Sequence, residues 1–159
     1  MRATVITVSN RSSRGERPDT SGPIAVAALE AAGWEVSTAL IPDGAAGVEA
    51  ALRAALASGA RLVITSGGTG VTPQDRTPEG TAPVIELELP GVAEEIRRRG
   101  AAAVPTAVLS RGLAGMASSE AGGALIVNLP GSPGGVRDGI EVVLGLARHA
   151  IEQHAGGDH

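Results

Sequence analysis

Val36-Ser37-Thr38-Ala39-Leu40-Ile41, then Val48, Ala51, Leu52, Ala55 and Leu56, then Leu62-Val63-Ile64-Thr65-Ser66 decide the fold of this 159-residue chain. The two outer runs are short and rich in aliphatic and β-branched residues, as strands are. The residues between them recur at i, i+3, i+4, i+7 and i+8, one face of a helix, and Gly59 follows as a stop. Strand, helix, strand in that order is a parallel pair joined by a crossover.

Working outward, Ala3–Ser9 reads as an earlier strand, and Ile24–Ala32, apolar almost all round, as a well-buried helix ending at Gly33. Downstream, Leu125–Leu129 is a fourth strand, and Val136, Ile140, Val143, Leu144, Ala147 and Ile151 form a second helical stripe. The runs at 36–41, 62–66 and 125–129 are nearly continuous in apolar residues, which suits strands covered on both faces. Between Val104 and Ala124 the pattern weakens: Thr106–Leu109 reads as a short strand, and Gly112–Gly123 as a hairpin or an irregular excursion. There is no internal repeat and no linker, so residues 1–153 are expected to form a single α/β domain with a mostly parallel sheet, and 154–159 a frayed tail.

Composition narrows the chemistry. With no Cys, thiol nucleophiles, disulfides and Cys metal sites are excluded. With no Lys, so are the P-loop lysine, the Schiff-base lysine and a lysine general base. One Trp and no Phe or Tyr leave no stacking platform for single-stranded nucleic acid, and a net charge of -4 disfavours phosphate-backbone binding. No nucleic-acid partner is expected. No apolar stretch reaches the length of a membrane span, and Met1–Val8 runs directly into a strand without a signal-peptide pattern, so a cytoplasmic protein with no membrane partner is expected.

In an open parallel sheet, ligands bind beyond the carboxyl ends of the strands. The unusual residues fall there: Ser9-Asn10-Arg11 after the first strand, Pro42-Asp43-Gly44 after the second, Ser66-Gly67-Gly68-Thr69-Gly70 after the third, and Asn128-Leu129-Pro130-Gly131-Ser132 after the last. Closely spaced glycines let backbone approach a ligand and let successive N–H groups converge on an anion, although a tight turn without a ligand has the same composition. Asp43 and Asp75 are the carboxylates on this rim, and such pairs suit Mg²⁺ travelling with substrate phosphates. Each also fits a plain turn, and Asp43 an N-cap. Thr77-Pro78 reads as an N-cap followed by proline at the first helical position, and Pro83 limits that helix to a short turn. Arg97-Arg98-Arg99 reads as the solvated, dipole-complementing end of a helix before Gly100, and Trp34 as a packing residue. His149, His154 and His159, five residues apart, do not align on one helical face, so no metal is expected there.

The segments Ser66-Gly67-Gly68-Thr69-Gly70, Asp75-Arg76-Thr77-Pro78-Glu79 and Asn128-Leu129-Pro130-Gly131-Ser132-Pro133 resemble those of the MogA/MoaB proteins of molybdenum cofactor biosynthesis, related to the G domain of gephyrin-type proteins. Asp19-Thr20-Ser21-Gly22, Ile41-Pro42-Asp43 and Pro105–Gly112 match in the same order, so the resemblance spans about Thr4 to Arg148. It implies a three-layer α/β fold with helices on both faces, usually a homotrimer. It further implies molybdopterin adenylyltransferase activity: AMP passes from ATP to the terminal phosphate of molybdopterin in a Mg²⁺-dependent step that releases pyrophosphate, and the product goes to a separate molybdate-insertion enzyme. A non-catalytic molybdopterin-binding paralogue is the alternative.

By position, the family's two critical aspartates correspond to Asp43 and Asp75, which the resemblance makes the catalytic and metal-binding pair. Gly67, Gly68, Thr69 and Gly70 correspond to its glycine loop, and Ser110 and the Leu129–Ser132 loop fall where it holds the pterin. Ser9, Thr77, Pro78, Glu79, Arg111, Asn128, Pro130, Gly131 and Ser132 complete the expected substrate-binding set. Two positions depart from the pattern: Asn10 stands where many members carry Asp, and Gly135 where a Lys often follows the Pro-Gly-Ser-Pro motif, with Arg11 and Arg137 the nearest cations in sequence.

Overall fold

The computed structural model describes residues 1–119 and 121–156. In chain order the elements are β1 (Arg2–Val8), α1 (Asn10–Ser13), α2 (Gly22–Ala31), β2 (Glu35–Ile41), α3 (Ala45–Ala57), β3 (Leu62–Ser66) and α4 (Thr77–Thr81). There follow β4 (Leu87–Glu88), α5 (Pro90–Ala103), a 3-10 turn (Pro105–Leu109), β5 (Ala114–Ser119), β6 (Gly122–Leu129) and α6 (Pro133–His154). They build one six-stranded sheet in the order β2-β1-β3-β6-β5-β4. The first four strands of that order pair in parallel, as the βαβ pattern implies. The weak region at 112–123 forms the antiparallel β5–β6 hairpin, with β4 antiparallel on its outer edge.

Alternation along the strands sends side chains into two cores. Ala3, Val5, Leu62, Ile64, Leu125 and Val127 face one layer, with α2, α5 and α6. Ile6, Val8, Val63 and Ile126 face the other, with α3. The result is the expected three-layer α/β arrangement. The apolar stripes of α3 and α6 are the faces laid on the sheet, with Val48, Leu52, Ala55 and Leu56 buried on the first and Val136, Ile140, Val143, Ala147 and Ile151 on the second. Trp34 packs in the first core just ahead of β2, with the Arg148 guanidinium 4.8 Å from its ring centroid.

Several expectations need correction. β2 is an edge strand, not one covered on both faces; Ser37, Thr38 and Leu40 are exposed because β1 separates it from the rest of the sheet. α2 buries only Gly22, Ala25 and Leu29, so its apolar circumference reflects Ala and Val content rather than burial on all sides. The 106–109 segment is part of a 3-10 turn begun by Pro105, not a strand. α5 runs through Gly100 to Ala103, and a Cβ at 100 would stand 3.0 Å from Ala107, so this glycine admits the 3-10 turn instead of ending the helix. α6 extends to His154, one residue past the expected domain limit; of the tail expected to fray, 157–159 lie outside the described residues.

Asn128 ties these layers together at the end of β6. Its Nδ2 donates to Thr65 Oγ1 (2.9 Å) and Thr81 Oγ1 (3.0 Å), and its Oδ1 accepts from Leu113 N (3.0 Å). Asn128 is buried, so these bonds have no water to replace them. Replacing Asn128 by Ala is expected to cost about 2–4 kcal/mol, because it leaves the half-buried Leu113 amide and two buried hydroxyls short of a partner as well as a cavity. Urea unfolding should show it as a lower midpoint with an unchanged slope.

Candidate active site

The chain leaves β1 toward one face of the sheet, through α2, and leaves β3 toward the other, through α4 and the α3 layer. That divergence opens a crevice at the carboxyl ends of these neighbouring strands. Gly67 closes its floor. Its φ of 106° lies in the left-handed region, and a side chain there would strike the Val8 carbonyl. Its amide donates to Leu129 O at 3.1 Å, so the ends of β1, β3 and β6 meet on one residue. Gly68, at φ 66°, likewise has no room for a Cβ beside Thr77 Oγ1. Gly70 is needed for space alone, since a Cβ would come within 2.8 Å of Asp75 Oδ2.

Thr77 does not cap α4, whose N-cap is Arg76; its hydroxyl donates to Gly67 O (2.8 Å) and its amide to Gly68 O (3.0 Å). The glycine loop has thus taken the hydroxyl that a cap would use. The amides of Gly68, Thr69 and Gly70 meet no acceptor among the described residues, and all three residues line the main cavity. A run of unpaired backbone donors like this one can converge on an anion.

That cavity, about 700 Å³, lies between the glycine loop, α5, the 3-10 turn and the start of α6, and includes Asp75, Ser110, Pro130, Gly131 and Ser132. A second, of about 200 Å³, holds Ser9, Ser12, Asp19 and Asp43. Gly68 and Gly131 line both. The two aspartates therefore serve adjoining compartments, one on each side of a Gly68–Gly131 ridge. Each has one oxygen committed to the protein. Asp43 Oδ2 accepts from Asn10 N (2.8 Å), and Asn10 Oδ1 accepts in return from Asp43 N (3.1 Å). Asp75 Oδ2 accepts from Thr72 N (2.9 Å) and Thr72 Oγ1 (2.7 Å). A carboxylate at position 10 would accept the Asp43 amide as Asn10 does, so the departure there leaves the support of Asp43 intact.

Other expected site residues lie behind the cavities or serve the backbone. Ser9 Oγ caps α1 by accepting from Ser12 N, and Ser132 Oγ caps α6 by accepting from Gly135 N. Thr77, Pro78, Glu79, Arg111 and Asn128 line neither cavity. The cations that do are Arg97 in the larger and Arg17 in the smaller, not Arg11 or Arg137. Arg97 belongs to the triplet read as solvated; it instead donates to Ser110 O (3.3 Å) and Gly112 O (3.2 Å), while Arg98 and Arg99 pair with Glu95. Two further charged residues line the cavities without a sequence motif to mark them: Asp138, one turn into α6, in the larger and Arg17 in the smaller. Only their spatial neighbours distinguish them from surface charges.

Asp19 stood in a matching segment without a role. Its carboxylate accepts from Thr7 Oγ1 (2.6 Å), Ser21 N (3.1 Å) and Gly22 N (2.9 Å) at the start of α2. Burial alone would raise its pKa, but these donors together outweigh it and hold the carboxyl below its usual range. The folded pKa is thus below the unfolded one, so the contribution to stability is complete above the unfolded value of about 4 and is lost as pH falls through the folded one. The stability difference between the parent protein and Asp19→Asn should therefore be largest above about pH 5 and shrink on acidification, as thermal melts across pH will read.

The α6 start sets a second expectation. A Cβ at Gly135 would lie 2.8 Å from Pro130 Cβ, whereas at Gly134 it would meet nothing within 4 Å. A side chain therefore fits at 134 without adjustment, whereas one at 135 requires Pro130 or Ser132 to shift. Gly134→Ala should keep or raise the melting temperature, and Gly135→Leu should lower it by overpacking worth about 1–3 kcal/mol.

The family described as "Probable molybdopterin binding domain" matches residues 4–149. Molybdopterin adenylyltransferase of Pyrococcus furiosus is 36% identical over 149 residues, covering 93% of this chain and 88% of that protein. The molybdenum cofactor biosynthesis bifunctional protein of Synechococcus elongatus is 35% identical over 158 residues; the match takes in 99% of this chain but only 48% of that relative, so the chain spans about half its length. The molybdopterin biosynthesis Mog protein from Mycobacterium ulcerans superposes with a TM-score of 0.88 at 45% identity, covering 96% of this chain and 98% of that one. By motif order, three-layer fold and these matches, the chain belongs to the MogA/MoaB family of molybdopterin-binding domains.

Proposed function

We propose that this protein acts in molybdenum cofactor biosynthesis as a molybdopterin adenylyltransferase. The observation that carries this reading is the join between the two compartments: unpaired amides of Gly68, Thr69 and Gly70 beside a shared ridge, with one aspartate serving each side. A reaction that brings two phosphate-bearing molecules together needs such a seat for shared negative charge. The relatives named as adenylyltransferases support the choice of substrates, molybdopterin and ATP.

The pterin is held in the larger compartment by Ser110 and the Leu129–Ser132 loop, with its phosphate directed to the glycine loop. An oxygen of that phosphate bonds to the α-phosphorus of ATP, the bond from that phosphorus to the bridging oxygen breaks, and pyrophosphate leaves with the electron pair. The glycine-loop amides take up phosphate charge without a lysine. The carboxylate oxygens of Asp43 and Asp75 left over from their protein bonds are hard oxygen donors that would hold Mg²⁺ together with substrate phosphates. When bound, that ion supplies charge neutralisation to the phosphates. On this reading the protein works in the cytoplasm as a homotrimer and hands its product to a separate molybdate-insertion enzyme.

Incubation with molybdopterin, ATP and Mg²⁺ should yield adenylylated molybdopterin and pyrophosphate in equal amounts. Asp43→Asn and Asp75→Asn should each lower kcat by about 100-fold or more, equivalent to about 2.7 kcal/mol of lost transition-state stabilisation, with the fold retained by thermal melt. Parent-like rates in both variants would overturn the assignment of the aspartates. Molybdopterin binding with no product would make the protein the binding-only relative.

A further inference from the structure

The glycine loop and Asp75 lie on one long excursion between β3 and α4. Inside 69–76 the chain bonds mainly to itself, through Thr72 and Asp75. Among the described residues, every hydrogen bond that fixes this stretch to a part of the chain distant in sequence ends on Ser110 or Arg111. Ser110 contributes one long contact, hydroxyl to Thr69 hydroxyl at 3.4 Å. Arg111 contributes the rest. Its amide donates to Thr69 O (2.8 Å), its Nε to Gly70 O (2.7 Å) and its Nη2 to Asp75 O (2.7 Å), while Nη1 donates to the Glu79 carboxylate on α4.

We infer that Arg111 is a positioning residue, which sets the glycine-loop amides and Asp75 relative to the phosphates without touching a substrate; this rests on the adenylyltransferase reading of the site. Arg111 and Glu79 line neither cavity, and all three guanidinium nitrogens already face protein acceptors. The hydrogen bond from Arg111, foremost, holds the Glu79 carboxyl below its usual range, so the pair stays ionised at neutral pH. Arg97 grips the carbonyls on either side of Arg111 from α5, so the strut is anchored at its root. A planar fork with divergent N–H groups can hold two carbonyls and a carboxylate at once; an ammonium on a flexible stem cannot reproduce that geometry. Errors of about 1 Å in such placement cost about 10²-fold in rate.

Arg111→Lys keeps the charge and removes the fork. In the adenylylation assay its kcat should fall by about 10–100-fold while KM for ATP and for molybdopterin stays within about twofold. Glu79→Gln should shift the same parameters more weakly, and the double variant should be no slower than Arg111→Lys alone, because Glu79 acts through the fork. A raised KM with unchanged kcat, or additive losses in the double variant, would overturn the inference and make Arg111 a substrate contact. Amide hydrogen exchange gives a readout independent of turnover: the bonded amides of Thr72 and Asp75 should exchange faster in Arg111→Lys, with β3 and β6 unchanged. Unchanged exchange at Thr72 and Asp75 would also overturn it. If Arg111→Lys does not fold, Glu79→Gln carries both measurements. If the parent protein makes no product, the adenylyltransferase reading falls, and loop exchange alone decides whether Arg111 is the strut.

Discussion

The close approach of Gly67 to the end of β1 is the constraint on which the site depends. With no side chain and a left-handed φ, it lies against the Val8 carbonyl and still donates to Leu129 O. Three strand ends are thereby drawn to one point. Thr77 bonds back to the same residue, and Gly131 packs so closely that a Cβ on it would stand 3.1 Å from Gly67 Cα. A side chain at 67 would push apart the loops that carry Asn10, Asp75 and Ser132, so the geometry of both compartments follows from one missing Cβ.

Much of this was legible from residue pattern. Short aliphatic and β-branched runs found β1, β2, β3 and the core of β6, and period-3.6 hydrophobicity found α3 and α6, because those elements are held by burial of a single run or stripe. The glycine loop and the two aspartates could be placed on the rim because parallel strands put their following loops on the same side. What failed depended on partners distant in the chain. Whether Val36–Ile41 is central or at an edge is a property of sheet order, and nothing inside the segment encodes it. Thr77 has the local chemistry of a cap, but a loop ten residues earlier claims its hydroxyl. Gly100 has the composition of a helix stop and serves instead as the clearance for Ala107.

The same distinction separates residues that face the cavities from those that support them. Asn128, Thr77, Glu79 and Arg111 share motifs with cavity-lining residues, and in sequence the two kinds look alike. Their roles part only when acceptors are counted: Asn128 has each side-chain group engaged within the protein, as a buried amide must, whereas the amides of Gly68, Thr69 and Gly70 do not. Arg97 shows the converse case, a charge in a run that looks solvated but which braces the carbonyls around Arg111.

Trp34 stands just ahead of β2, at the amino ends of the parallel strands, while both compartments open at their carboxyl ends. With one Trp and no Tyr or Phe in the chain, its indole is the sole intrinsic fluorophore among the side chains. Its fluorescence therefore reports on the packing of the first core and on the Arg148 guanidinium above its ring, far from the chemistry. Loss of the first core on unfolding is therefore expected to register in the emission of Trp34, whereas filling either compartment changes none of the groups that touch its ring.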